Sequence, residues 1–273
     1  MYSFFFIPAS KIDKLEKLRN LAIDEFIIDF EDAIKESERQ DLIDRLSQNE
    51  ALRDCYLRIP VYDNSETNID LNYLKPFLKS GFKNFVFPKI QSIDDLETLR
   101  VLTKSYNISP ILLIETPRLY LELLSNISTY VNYFRSVALG SHDFMASVGG
   151  VHNLENLETV RQNILYFARA THSQAIDIAS MNINDTDAFR LELQDGFRKG
   201  FDGKFLIHPR QHKIFDTYQF YTEEEYNSAL KIISQLEMVQ GNEEEFNPVV
   251  IDGQIIERPH LERALKVVKT YKK

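Results

Sequence analysis

The stretch EFIIDFEDAIKE (residues 25–36) joins an apolar run, typical of a buried strand, to three closely spaced carboxylates. These carboxylates belong to Asp29, Glu31 and Asp32. Like charges at this spacing repel one another, and burying any of them without a partner is costly. The strand therefore ends either on a solvated surface or against something positive, and the ends of the other strands decide between the two.

Short apolar runs alternate with amphipathic, helix-like stretches along most of the chain. The runs are SFFFIP, EFIIDF, CYLRIPV, NFVFPKI, PILLIET, SVALG, AIDIAS and GKFLIHP. Continuous apolar strands that alternate with helices indicate a parallel sheet covered on both faces. Eight such units in about 210 residues predict a closed (β/α)₈ TIM barrel, an α/β fold, over residues 1–217. The alternative is a doubly wound open sheet, but no glycine-rich nucleotide fingerprint opens any of the helices.

The remaining residues, 218–273, exceed what a barrel needs. TEEEYNSALKIISQLEMV has the pattern of a surface helix, and PVVIDGQII has two apolar runs around Asp252 and Gly253, a strong hairpin signal. A last helix is predicted from Pro259 to about Tyr271. We expect a C-terminal arm of helix, hairpin and helix that packs on the barrel or on a neighbouring subunit.

Composition excludes several classes of protein. The 273-residue chain has a formal net charge of −9, which argues against nucleic-acid binding, and one cysteine, Cys55, which excludes a disulfide framework. No apolar run approaches the roughly 18 residues of a membrane helix. The opening MYSFFFIPAS is too short for a signal peptide and lacks a basic start. We therefore expect a soluble, cytoplasmic protein without nucleic-acid or membrane partners.

Ionisable side chains follow seven of the eight predicted strands, and barrel enzymes carry their chemistry at the C-terminal ends of the strands. These residues are Asp29, Glu31, Asp32, Arg58, Lys89, Glu115, His142, Asp143, Asp177 and His208. Two of them are cations in the same ring as the acids. The acids at this mouth are therefore expected to face partners rather than bulk solvent.

Glu115 in LLIETP and Asp143 in ALGSHDF are the strongest candidates for metal ligands. Two hard carboxylates on neighbouring strands, without a cysteine or histidine cluster, suit Mg²⁺ or Mn²⁺ better than zinc. The alternative is a salt bridge from each acid to a nearby lysine or arginine. Spacing alone leaves both interpretations open.

Three further residues are candidates for substrate binding. Glu31 and Asp32 either order Arg58 and metal-bound water or cap a helix that begins near Ala33. Lys89 either contacts a phosphate or carboxylate of a substrate or forms an internal ion pair with the same acids. His208 precedes a proline and is expected to be structural, as is Cys55 at the start of its strand.

Six segments of the chain resemble the HpcH/HpaI aldolase and citrate lyase β family, which includes malyl-CoA lyase relatives. They are IIDFEDAI, YLRIP, FVFPKI, LLIETP, ALGSHDF and FDGKFLIHPRQ, which occur in the family's order. Any one of these motifs is weak, but six in register are specific. The resemblance extends from about residue 2 to residue 271.

This resemblance implies a Mg²⁺-dependent (or Mn²⁺-dependent) barrel that makes or breaks a carbon–carbon bond beside a thioester. Glu115 and Asp143 would hold the metal, which would bind the carboxylate and keto oxygen of a small 2-oxo acid. Arg58 would hold the substrate and stabilise developing negative charge. The thioester would be carried by coenzyme A or by an acyl carrier protein, which is then a possible partner.

Two departures from the family pattern affect the expected substrate. Pro60 follows Arg58-Ile59 where relatives have asparagine, and Pro117-Arg118-Leu119 replaces a small loop after the glutamate. The bulkier, basic loop could narrow the site or add a clamp for a carboxylate. Two alternatives therefore stand beside the thioester lyase: an aldolase that acts on free 2-oxo acids, and a regulatory protein that kept the barrel and lost activity.

Glu257, in DGQIIERPHLERAL, matches a position where relatives that act on acyl-CoA carry an aspartate. That aspartate resembles a catalytic acid or base that reaches the site of a neighbouring subunit. The resemblance thus implies that Glu257 acts between chains of a homo-oligomer, a trimer or a multiple of one. The alternative is a solvated carboxylate paired with Arg258 or Arg263.

Overall fold

The structure, a computed structural model, describes residues 1–32, 34–63, 68–240, 248–251 and 253–271. The chain divides into two compact units, Met1–Asp216 and Thr217–Lys273. Eight parallel strands of the first unit form a closed barrel in chain order. This arrangement confirms the predicted (β/α)₈ fold and excludes the open doubly wound sheet.

All eight barrel strands coincide with the apolar runs predicted from the sequence. They are β1 (Tyr2–Pro8), β2 (Glu25–Asp29), β3 (Tyr56–Arg58), β4 (Phe85–Phe87), β5 (Ile111–Ile114), β6 (Ser136–Leu139), β7 (Gln174–Asp177) and β8 (Gly203–Leu206). The last strand closes on the first, with Phe205 opposite Phe4. In the pairing of β2 with β3, Asp29 lies opposite Arg58, so the register brings a carboxylate and a guanidinium together at the C-terminal end of the barrel.

Helices follow the strands around the barrel. They are α1 (Leu15–Leu18), α2 (Glu36–Leu46), α3 (Lys75–Lys79), α4 (Ile93–Ser105), α5 (Pro117–Ser125), α6 (Ser141–Val148), α7 (Leu154–Ala170), α8 (Thr186–Lys199) and α9 (Pro209–Thr217). Four of these described helices begin after side chains that accept a backbone N–H of the first turn: Ser92 before α4, Thr116 before α5, Asn153 before α7 and Asp185 before α8. Such caps satisfy amide groups that lack a partner within the helix.

Two predicted helices are shorter than the sequence pattern suggests. The apolar spacing of KIDKLEKLRNLA (residues 11–22) predicts one helix, but the structure has a 3₁₀ segment, Ala9–Lys14, and the single α-helical turn α1, because Lys11 has non-helical angles (φ −115°, ψ 25°). The stretch LNYLKPFLKS (residues 71–80) likewise predicts a helix, which is reduced to α3. Pro76 lies in its first turn, where a proline ring prevents extension of the helix toward the N-terminus.

The interior of the barrel is a continuous apolar cluster. Its buried members are Phe4, Ile27, Tyr56, Val86, Ile111, Leu113, Ala138, Ile176 and Phe205. Gly203 is required there, since a Cβ atom at this position would lie 2.6 Å from the ring of Phe4. Cys55 is buried, in agreement with its predicted core position.

A buried ion pair ties α7 to the barrel behind this cluster. Arg161 donates to both oxygens of Asp177 at 3.0 Å, and neither side chain has any exposed surface. Arg161 also contacts Asp195 of α8 at 2.7 Å. Asp177, one of the ionisable strand ends, is therefore bound to an internal partner.

The second unit has its own small core. It contains α10 (Glu223–Gln240), an antiparallel hairpin of β9 (Val249–Ile251) and β10 (Gln254–Ile256), and α11 (Arg258–Thr270). Ala229, Ala264 and Val267 are buried between the two helices. Gly253 has the positive φ of 79° that a tight hairpin turn requires, whereas Asp252 lies outside the described residues. None of the described helices combines the length and apolarity needed to cross a membrane.

We expect Arg161→Met to lower the free energy of unfolding by about 3–5 kcal/mol, because it removes the bidentate partner of the buried Asp177 carboxylate and leaves only Lys204, at 3.7 Å. Arg118→Met is the matched control, since Arg118 is 66% exposed in its pair with Glu122 and such pairs contribute about 0–1 kcal/mol. Urea unfolding followed by circular dichroism measures both. Equal losses of unfolding free energy in the two variants would show that the buried pair of Arg161 and Asp177 stabilises the fold no more than an exposed pair does.

Candidate active site

A cavity of about 270 Å³ opens at the C-terminal ends of the barrel strands. Four of the predicted site residues line it: Asp32, Arg58, Glu115 and Asp143. A second cavity of about 180 Å³ adjoins it, because Asp32 lines both. Glu31 and Lys89 line this smaller cavity. The structure thus brings six of the seven predicted site residues to one mouth.

Arg58, the last residue of β3, is held by Asp29, the last residue of β2. Its Nε donates to Asp29 Oδ1 at 2.8 Å and its Nη2 to Oδ2 at 2.7 Å, a bidentate geometry that fixes the plane of the guanidinium. The ring of Phe6 lies under this group, with its centroid 5.2 Å from Cζ. Only 12% of the Arg58 side chain is exposed. Contacts within the protein therefore fix the orientation of the Arg58 guanidinium before any ligand binds.

Glu31 and Asp32 face cations rather than a helix terminus. Arg58 Nη1 lies 3.1 Å from Glu31 Oε2 and 3.3 Å from Asp32 Oδ2, and Lys89 Nζ lies 2.9 Å from Asp32 Oδ1. Helix α2 begins only at Glu36, so the alternative of a capping role is wrong, whereas the contacts with Arg58 agree with the other interpretation. Lys89 forms the internal ion pair that was one of its two interpretations, and 35% of its side chain remains exposed.

The two acids of this cluster differ in their proton affinity. Burial, which outweighs the nearby Arg58, raises the pKa of Glu31 to about 7. Burial would raise the pKa of Asp32 as well, but Arg58 and Lys89 together hold it below its usual value. Within the described part of the chain, the buried Oε2 of Glu31 accepts no hydrogen bond of good geometry, and its one close contact is the ion pair with Arg58 Nη1 at 3.1 Å.

Glu115 follows β5 and is almost completely buried, with 3% of its surface exposed. The backbone N–H of Lys89 donates to its Oε2, and the Cα of Gly140 packs against the opposite side of the carboxylate. A Cβ at position 140 would lie 2.4 Å from Glu115 Oε1, so only glycine leaves room for this carboxylate. Burial, together with the charge of Glu31, raises the pKa of Glu115 to about 8.

The backbone of Lys89 adopts an uncommon conformation to reach Glu115. Its φ of 54° lies in the left-handed region, which non-glycine residues seldom adopt. Such strain persists only where the surroundings impose it, and it is concentrated at ligand-binding and catalytic positions. Here it aims an amide hydrogen at a candidate metal ligand. Lys89 therefore contributes through its main chain as well as its side chain.

Asp143 lies in the first turn of α6, three residues beyond Gly140, and its side chain is exposed to the cavity mouth. Among the residues that the structure describes, neither Asp143 nor Glu115 forms an ion pair, so the alternative of a salt bridge for each acid is not found. The charge of Asp143 contributes to the raised pKa of Glu115. These two carboxylates are thus close together, and each lacks a direct ion pair within the described ranges, although Arg58 acts on Glu115 and Lys89 on Asp143 from nearby.

This pair fits a hard divalent cation. Across the described ranges, no three histidine, cysteine, aspartate or glutamate side chains gather around one point. Glu115 and Asp143 would accordingly supply only two protein ligands. Mg²⁺ commonly binds through one or two carboxylates and completes its octahedral shell with water and substrate oxygens. The donor set therefore suits Mg²⁺ or Mn²⁺ better than zinc.

Sequence reasoning missed what Asp29 and the paired histidines do. Asp29 was noted as a strand end, and only the strand register shows that it orients Arg58. The rings of His142 and His152 stack at 3.8 Å with 5° between their planes, and His152 Nε2 lies 2.9 Å from Ser141 Oγ. No periodic pattern predicts this contact, because His152 lies in the loop before α7.

Two histidines and the altered loop have structural roles. His208 Nδ1 accepts the backbone N–H of Arg210 at 3.1 Å, and His212 Nε2 lies 3.1 Å from the carbonyl oxygen of Ala22. Arg118 pairs with Glu122 at 2.8 Å and does not line either cavity, so it does not form the carboxylate clamp considered above. Pro60, in contrast, lines the smaller cavity.

Glu257 belongs to the second unit, where it precedes α11 with an exposed side chain. Its backbone N–H donates to His260 Nδ1 at 3.0 Å. Arg258 lies 3.4 Å from Glu262, and no ion pair of Glu257 occurs within the described stretches. The alternative of a Glu257 carboxylate paired with Arg258 or Arg263 is thus not observed.

Two known proteins are similar to almost the whole chain. The beta subunit of citrate lyase from Leuconostoc mesenteroides subsp. cremoris is 25% identical over 98% of this chain and 92% of its own length. A (3S)-malyl-CoA thioesterase from Cereibacter sphaeroides is 26% identical, over 95% of this chain and 90% of its own.

The fold is shared with solved structures. The protein CitE from Mycobacterium tuberculosis, in complex with magnesium, acetoacetate and coenzyme A, superposes with a TM-score of 0.80. The match covers 98% of this chain and 97% of that one, at 21% identity. The HpcH/HpaI aldolase/citrate lyase model matches residues 2–209, which include the whole barrel and every candidate residue of its mouth. The chain therefore belongs to the HpcH/HpaI aldolase/citrate lyase family.

Proposed function

We propose that this protein is a Mg²⁺-dependent carbon–carbon lyase or synthase that acts on a short 3-hydroxyacyl thioester of the citryl or malyl type. Cleavage gives an acyl thioester and a small 2-oxo acid. The thioester is carried by coenzyme A or by an acyl carrier protein. The observation that carries the proposal is the pair Glu115 and Asp143, which form no ion pair among the described residues and lie beside the oriented guanidinium of Arg58.

The residues of the mouth suit the charge changes of this reaction. When the carbon–carbon bond breaks, the hydroxyl group loses its proton and the carbon that carries it becomes the carbonyl carbon of the 2-oxo acid. The electrons of the broken bond pass to the acyl thioester, which forms an enolate. This enolate must then gain a proton. The chemistry that Mg²⁺ supplies when bound by Glu115 and Asp143 is Lewis-acid stabilisation of negative charge on the keto oxygen. Arg58, fixed by Asp29, orients the substrate and stabilises developing charge. Asp32 and Lys89 lie beside the guanidinium of Arg58 and bind the substrate together with it.

Relatives support the thioester and the metal. CitE from M. tuberculosis binds magnesium and coenzyme A, and the C. sphaeroides relative is a (3S)-malyl-CoA thioesterase. An aldolase that acts on free 2-oxo acids would use the same metal pair but would need no thioester. A barrel kept only for regulation would need neither the metal pair nor the oriented arginine. Thioester dependence therefore separates the three hypotheses.

Glu257 is proposed as the group that exchanges the proton, working in the site of a neighbouring chain. An exposed carboxylate without an ion pair among the described residues is able to act as an acid or base, provided that it approaches within about 3 Å of the reacting atom. The proposal therefore includes a homo-oligomer, a trimer or a multiple of one, in which the arm, residues 218–273, covers a neighbouring barrel.

We expect the wild-type protein to bind Mg²⁺ or Mn²⁺ in calorimetric titrations, and Glu115→Ala and Asp143→Ala each to abolish that binding. Two protein ligands are too few for either one to be dispensable. Asp41→Ala, which removes an exposed carboxylate of α2, is the control and should bind metal normally. Wild-type affinity in either ligand variant would refute the metal assignment.

We expect citryl-, malyl- or methylmalyl-type thioesters to be cleaved when Mg²⁺ is present, and the corresponding free hydroxy-keto acids to be unaffected. In Arg58→Lys, turnover of the best substrate should fall by about 10²-fold or more. Lysine keeps the charge but loses the planar fork that binds Asp29 in a bidentate manner.

The substrate panel also has outcomes that contradict the proposal. Turnover of the free acids alone would indicate an aldolase, and inactivity toward both groups would favour the regulatory protein. If Arg58→Lys were almost fully active, Arg58 would serve only to balance the carboxylates around it. Circular dichroism of Arg58→Lys controls for misfolding.

We expect inactive Glu257→Gln and inactive Glu115→Ala chains to regain activity when they are mixed and allowed to exchange subunits. A mixed assembly contains a site in which the barrel comes from one variant and the arm carboxylate from the other. Exchange is verified with two fluorescent labels. Absence of recovery despite exchange would refute sharing between chains, and a fully active Glu257→Gln would remove the residue from the mechanism.

A further inference from the structure

The main cavity has two chemically different sides. One side carries the acids and Arg58, and the other is apolar. The apolar side is formed by Phe6, Leu113, Leu139, Ala179, Phe205 and Ile207. Of the cavity-lining residues within the described ranges, Arg58 is the one cation. A ligand that fills this space therefore meets charge at one end and hydrocarbon at the other.

The apolar side forms the floor of the cavity. Leu113, Leu139 and Phe205 belong to barrel strands and have only 2–3% of their surface exposed. Met181, in contrast, is 55% exposed and lines the rim. The ring of Phe6 extends the floor to Arg58, at 5.2 Å from Cζ. The buried apolar side chains of the strands thus line the cavity below its exposed rim.

The charge around the cavity does not favour a second anionic group. Five carboxylates (Asp29, Glu31, Asp32, Glu115 and Asp143) surround the two cations Arg58 and Lys89, which gives three formal negative charges in excess when all five acids are ionised. A divalent metal ion between Glu115 and Asp143 leaves one formal negative charge. Both cations already contact acids of the cluster. A carboxylate directed at the floor would accordingly be desolvated without a partner.

We propose that the small 2-oxo acid of this site is a monocarboxylate whose keto carbon carries hydrogen or a small alkyl group, and not a dicarboxylate. This inference rests on the proposed function and specifies its substrate class. The single carboxylate and keto oxygen of the acid lie on the charged side. The alkyl substituent packs on Leu113, Leu139 and Phe205, where its burial is favourable. A distal carboxylate on the same carbon chain would be forced against these side chains.

The test compares pyruvate and 2-oxobutyrate with oxaloacetate, each titrated calorimetrically into the full-length protein in excess Mg²⁺. We expect both monocarboxylates to bind at least about tenfold more tightly, because the unpaired distal carboxylate of oxaloacetate is desolvated at the floor. Equal or tighter binding of oxaloacetate would overturn the inference and leave the proposed function intact. If no 2-oxo acid of either class bound, the proposed function itself would fall and the inference with it.

A charge-introducing variant separates charge from size. Ile207→Lys places a cation beside the floor, and we expect it to improve oxaloacetate binding relative to pyruvate by at least about tenfold. Leu191→Lys is the matched control, since Leu191 is 70% exposed on α8 and lines neither cavity, and it should leave the ratio unchanged. An unchanged ratio in a folded Ile207→Lys variant would show that charge is not the basis of selection.

Discussion

The bidentate contact between Asp29 and Arg58 is the constraint on which the rest of the site depends. It follows from the register of β2 and β3, which places the two residues opposite each other at the C-terminal end of the barrel. Asp29 holds the guanidinium, which in turn lies within 3.3 Å of Glu31 and Asp32 and allows both acids to remain at the mouth. Without the guanidinium of Arg58, the three carboxylates within residues 29–32 would repel one another and turn toward solvent. A single strand pairing thus converts an unfavourable cluster into an oriented site.

Glu115 is held by the shape of its surroundings and by a backbone hydrogen bond rather than by an ion pair. Gly140 leaves space for its carboxylate, and the left-handed Lys89 directs an N–H toward it. A neutral amide offsets only part of the desolvation of a buried carboxylate, so its pKa remains high, at about 8. The acid is therefore positioned without a direct ion pair to a lysine or arginine among the described residues. A ligand site needs both properties, since a carboxylate already paired with lysine or arginine has little to offer a cation.

The sequence predicted the barrel well because each strand is apolar on both faces, and that pattern is read without knowledge of tertiary contacts. It predicted the mouth well for the same reason: the ionisable residues lie at the ends of those strands. The sequence did not predict features that depend on contacts in the folded chain. Lys11 and Pro76 shorten two helices, α2 starts later than expected, and the stacking of His142 on His152 joins residues that share no periodicity. The capping role of Glu31 and Asp32 was a local argument, and the non-local Arg58 outweighed it.

The balance of charge at the mouth also bears on the choice between an enzyme and an inactive barrel. Glu115 is buried without an ion pair among the described residues, and the exposed Asp143 adds a like charge beside it. Ionised Glu115 opposes folding unless a cation joins the pair, and replacing it with a neutral residue would relieve that cost. A chain that no longer bound metal would have no physical reason to keep the pair, the glycine that accommodates it and the strained Lys89 together. The altered Pro60 lines the neighbouring cavity and Arg118 points away, so neither change touches this arrangement. The departures from the family pattern therefore concern what the site accepts rather than whether it binds a metal.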